Sequence, residues 1–147
     1  MMNREELLER EDEAWLDFKA ASLSVPQDRR EVEGVVPGWS THDLVWHCAY
    51  WAADVADVLE RLRRGDPEPE EGDTDSRNAA ILAEGRGTTW DEAVLRAEPS
   101  RERVRAALSA LGELPEAAVE LFTEETFEHY EEHGAQIRAF SEGHDRD

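Results

Sequence analysis

Three of the five histidines in this chain stand where their chemistry can converge. His129 and His133 are four residues apart in "FEHYEEHGAQI", residues 127–137. On an α-helix that spacing puts both side chains on one face, with Cβ atoms about 6 Å apart, so two imidazoles can reach one ion. The HExxH motif uses the same histidine spacing. Here Tyr130 stands where that motif carries its glutamate, so a zinc-protease reading has no support. His47, in "THDLVWHCAY" (residues 41–50), lies at the edge of an apolar stripe on a separate segment. A buried imidazole without a partner is costly. One such histidine usually finds a protein partner; three that point into the same core are better explained by a shared cation.

Three neutral imidazoles leave a coordination position open, the pattern of catalytic rather than structural zinc. Water there has its pKa drawn toward about 7, which suits hydrolysis. A small thiol held there as thiolate would instead attack an electrophile. The residues do not choose between these chemistries, or between an enzyme and a bundle that only sequesters a small molecule. Asp54, seven residues after His47, is a candidate to orient that ring or to act as a base. Candidates to touch a substrate are Trp51, Asn78, Tyr130 and Gln136, with Trp39 as a further pocket wall. For the tryptophans, core packing is the competing role. Cys48 reads as a small buried hydrophobe, whereas His42 and His144 read as solvated.

The elements that must position these residues are helical. Residues 4–22 carry Leu7, Leu8, Trp15, Phe18 and Ala21 at spacings of three and four. Residues 31–38 are a connector ending in a Pro37-Gly38 turn. Ser40 and Asp43 form a capping-box pattern for a second helix, and Gly65 is placed to stop it. Its apolar stripe reads Leu44, Cys48, Trp51, Val55, Val58 and Leu62. Residues 65–75 read as an exposed acidic loop and 75–85 as a short helix. Thr89 and Glu92 open a third long helical region, where Pro99 predicts a kink or a restart. Gly112 and Pro115 close that region. A last helix spans about residues 119–141, striped by Val119, Phe122, Thr126, Tyr130, His133, Ile137 and Phe140, with a frayed tail at 141–147. No segment alternates with period two. The expected architecture is all-α, a four-helix bundle with a long crossover in a single domain over residues 1–147.

Bulk composition narrows the partners. At 147 residues, the chain is long enough for one well-formed core. A formal net charge of −20 repels nucleic-acid phosphates and anionic lipid headgroups, leaving a small molecule as the expected partner. Cys48 is the only cysteine, which rules out an intrachain disulfide and a CxxC metal pair. The N-terminus lacks the apolar core of a signal peptide, and no stretch approaches the roughly 20 apolar residues of a membrane span; the expected compartment is the cytoplasm. Trp15 or Trp90, if exposed, would be the seed of a homodimer, against which the net charge works.

"PGWSTHDLVWHCAYW" (residues 37–51) followed by "FEHYEEHGAQI" resembles the DinB-like superfamily, and within it proteins similar to the N-terminal domain of mycothiol-dependent maleylpyruvate isomerase. The resemblance spans nearly the whole chain. It implies a four-helix bundle that binds a divalent metal, zinc or nickel in many members, through one histidine of the second helix and a pair on the last. Carried over, the ligands are His47, His129 and His133. It also implies thiol-dependent transfer or isomerisation with mycothiol or a similar cosubstrate, or in some relatives hydrolysis.

Overall fold

The computed structural model describes residues 2–67 and 72–145, with the side chains of 144 and 145 left out, so His144 lies outside the described side chains. Among the described residues every regular element is helical: α1 (Arg4–Leu23), a 3₁₀ turn (Gln27–Arg29), α2 (Thr41–Arg64), α3 (Thr74–Arg86), α4 (Trp90–Ala110), α5 (Glu116–Glu125) and α6 (Phe127–Asp145). None of these helices is long and apolar enough to cross a membrane.

Three helix starts are set by side chains that satisfy the free N–H groups of the first turn. Asn3 with Glu6, Ser40 with Asp43, and Thr89 with Glu92 each form a reciprocal capping box. A cap of this kind is worth about 1 kcal/mol. α2 stops at Gly65, whose φ of +75° is open to glycine at little cost. The Pro37-Gly38 turn is present: the Trp39 N–H donates to the Val36 carbonyl at 3.0 Å, and Gly38 has φ +82°.

α2 packs most extensively on α4 and α1 on α6; α3 lies in the crossover against α2, and α5 leans on α2 and α6. The core runs through Leu7, Phe18, Leu44, Val55, Leu59, Leu108, Phe122 and Ile137. The stripe expected on α2 holds at Leu44, Cys48 and Val55 but turns away from the core further on. Ala52, Ala56 and Leu59 are buried, while Trp51, Val58 and Leu62 line a cavity.

One element narrows an open expectation and another departs from it. Of the kink or restart expected at Pro99, the restart is excluded, because α4 is continuous through it. Proline lacks the N–H that would bond to the carbonyl of Leu95. Leu95 is 74% exposed, so the missing bond falls on the solvent side of the helix. The last helix is two helices, separated at Thr126 (φ −116°, ψ −92°). The buried Thr126 hydroxyl donates to the Phe122 carbonyl at 2.6 Å, and such back-bonding bends helices. α6 then runs to Asp145, past the expected end near residue 141.

A candidate metal centre

α2 presents His47 and α6 presents His129 and His133. Their ring centroids are 4.8, 5.4 and 4.6 Å apart for the pairs 47–129, 47–133 and 129–133. One nitrogen from each ring lies within 4.8 Å of the other two. The Nε2 atoms of His47 and His129 face each other at 3.0 Å. Nδ1 of His133 meets Oε1 of Gln136 at 2.7 Å. A carbonyl oxygen only accepts, so the His133 proton sits on Nδ1 and its Nε2 lone pair is free.

His47 Nδ1 and His129 Nδ1 are both buried without a hydrogen-bond partner. A buried unpaired polar atom costs about 1–3 kcal/mol. Two of them behind facing Nε2 atoms indicate rings oriented for something between them. Burial, followed by the neighbouring charge of His133, lowers the His47 pKa to about 4. Burial, then His133 and His47, lowers that of His129 to about 3. Both rings are therefore neutral near pH 7, the state that ligates a metal. A set of three imidazoles suits a borderline cation such as zinc or nickel.

A cavity of about 690 Å³ lies beside the triad, with walls from α2, α3 and α5, and both His47 and His129 border it. The indole N–H of Trp51 donates to Asn78 Oδ1 at 2.9 Å, which ties α3 to α2, and both residues line the cavity. The Arg77 guanidinium stacks over the Trp51 ring at 4.6 Å. Trp39, placed by the 36–39 turn, packs edge-on against His47 with centroids 5.0 Å apart.

Other expectations need correction. Asp54 borders the cavity, but its carboxylate pairs with Arg77 at 2.8 Å and does not bond His47, whose Nδ1 has no partner. Tyr130 points away from the site; it is 2% exposed and packs against Trp15 and Phe18 at 5.5 and 5.6 Å. One residue beyond His129 is about 100° around the helix, enough to cross from the site to the core. His42 is not solvated. The connector folds over the start of α2, and Glu31 and Thr88 bond the two nitrogens of His42 at 2.6 and 3.1 Å. Trp15 is buried, and its N–H donates to Glu98 at 3.0 Å, so it is no exposed seed for an interface. Cys48 is buried as expected, and its burial, with Glu125 and Glu132, pushes the thiol pKa well up.

Sequence reasoning passed over Glu125, whose Oε2 lies 4.0 Å from His129 Nδ1. Glu125 precedes His129 by four residues in the sequence, but the break at Thr126 means that its approach to the ring is set by how α5 meets α6. Arg77 was also missed. It acts only through its placement by α3, which no local pattern announces.

The arrangement defines a class: an all-α bundle in which the second and last helices bring three histidines together beside a cavity. The chain matches the DinB superfamily over residues 2–139 and belongs to it. A crystal structure of an uncharacterised protein from Escherichia coli UTI89 has the same fold, with a TM-score of 0.82 and 14% identity over 99% of this chain and 96% of that one. No curated protein matches the chain.

Proposed function

We propose that His47, His129 and His133 hold one divalent cation, zinc or nickel, through their Nε2 atoms, and that this centre serves transfer between a low-molecular-weight thiol, mycothiol or similar, and a small electrophile in the adjoining cavity. The observation that carries the metal reading is the facing pair of Nε2 atoms at 3.0 Å, with a buried and unpartnered Nδ1 behind each. Structural zinc sites are closed by four protein ligands. Among the described residues no fourth His, Cys, Asp or Glu joins this group. A cavity of about 690 Å³ falls within the range of small-molecule sites.

When bound, the ion supplies Lewis acidity that lowers the pKa of a nucleophile from solution. The chain's own groups do the rest. Gln136 fixes the tautomer of His133. The Trp51–Asn78 bond holds the cavity wall and leaves the amide N–H groups of Asn78 for a substrate. Val58, Leu62 and Leu121 add apolar surface to the cavity lining. The only thiol of the chain, Cys48, is buried, so a thiol nucleophile must come from outside.

Elemental analysis of purified protein should find about one divalent ion per chain, and His133→Ala should lose it. Loaded protein is then assayed with an aryl halide electrophile, with and without mycothiol. Thiol-dependent turnover supports transfer. Turnover without thiol makes the site a hydrolase. Metal with no turnover makes it a sequestering bundle, and protein that binds no metal overturns the reading.

A further inference from the structure

We infer that Glu125 is the positioning carboxylate of the centre: it accepts the Nδ1–H of His129 when that ring ligates a cation, an inference that rests on the metal reading above. With Nε2 of His129 turned toward His47, a ligating His129 must carry its proton on Nδ1. That atom is buried and has no partner. Glu125 offers it a backbone carbonyl and, at 4.0 Å from Nδ1, the carboxylate oxygen Oε2. Closing to hydrogen-bond distance takes about 1 Å, within reach of a side-chain rotation.

Glu125 is itself short of partners. Its side chain is 28% exposed, and among the described residues its carboxylate takes part in no hydrogen bond. The cation on the facing wall, Arg77, is engaged by Asp54. Glu125 is not a fourth ligand, because its oxygens fall outside the group of donor atoms formed by the three histidines. A half-buried acceptor at the end of α5 and a buried donor in the first turns of α6, brought together across the break at Thr126, complete each other. Metal-bound histidines commonly donate their second N–H to a carboxylate, and loss of that partner typically lowers metal affinity 10- to 100-fold.

The test is zinc affinity by competition with a chromophoric chelator, for the wild-type chain and for Glu125→Ala, Glu125→Gln and Glu124→Ala. Glu124 is the exposed neighbour and removes the same charge without the contact. Glu125→Ala should weaken zinc binding about 10- to 100-fold. Glu125→Gln keeps an acceptor oxygen and should fall between Ala and wild type; Glu124→Ala should stay within about twofold. In nitrogen–proton spectra of the zinc-loaded protein, the His129 Nδ1–H should exchange slowly with water in wild type and in Glu125→Gln. If Glu125→Ala fails to fold, the Gln variant and this proton decide the matter. Equal zinc affinity in Glu125→Ala and wild type, or a freely exchanging Nδ1–H, overturns the inference. A wild-type chain that takes up no zinc overturns the metal reading instead.

Discussion

His47 and His129 are neutral because they are buried, and that fixes how the metal-free protein meets acid. In the unfolded chain each ring takes a proton near its ordinary pKa of 6.5; in the folded chain the values are about 4 and about 3. The unfolded state therefore binds more protons throughout that window, and stability falls as pH drops from about 6.5 toward 3–4. For His47 alone the difference corresponds to about 3 kcal/mol. Urea unfolding in the presence of chelator should show this loss, and His129→Leu should flatten it; a stability independent of pH between 6.5 and 4 would contradict the burial described. At this scale the shared face of His129 and His133 was legible, because a helical spacing of four is arithmetic. Glu125 was not, because the same count crosses the break at Thr126. The pairing of Asp54 with Arg77 was not legible, since it spans 23 residues and depends on where the crossover helix lands.

Among the elements, α3 is the one whose seat matters most for the site, because it carries Arg77 and Asn78. It approaches α2 through Gly85, where a Cβ would lie 2.5 Å from Trp46 Cδ1. The Arg96 guanidinium sits over that indole at 4.7 Å and Trp46 is 4% exposed, so the ring has little room to retreat. Glycine to alanine inside a helix ordinarily gains about 1 kcal/mol. Here the overlap with a rigid ring outweighs it, and Gly85→Ala should destabilise by about 1–3 kcal/mol in urea melts. Helix starts were legible from their caps. The fate of Pro99 was not, because the cost of a missing hydrogen bond depends on whether the orphaned carbonyl meets water or core. The division at Thr126 likewise hinges on one hydroxyl and its neighbour four residues back.

For the molecule as a whole, the dominant quantity is the charge of −20, from 36 acidic and 16 basic residues. Several arginines each serve more than one carboxylate: Arg101 pairs with Glu11 and Asp12, and Arg103 with Asp57 and Glu60. Acidic groups still outnumber basic ones, and their mutual repulsion opposes the compact state. Added salt screens that repulsion, so the melting temperature should rise between about 0.01 and 0.5 M sodium chloride; a fall would mean that the local ion pairs dominate. The fold class was legible at this scale, since periodicity and caps recur along the chain. What brings His47 against His129 was not, for the two are 82 residues apart and meet only through the packing of intervening helices. That separation carries its own implication. If the proposed centre holds a cation, the pair on α6 offers it only a partial grip, and the remaining donor arrives when the early and late parts of the chain have docked. Full capture would then be a checkpoint on assembly, passed only by a chain whose two ends have already found each other.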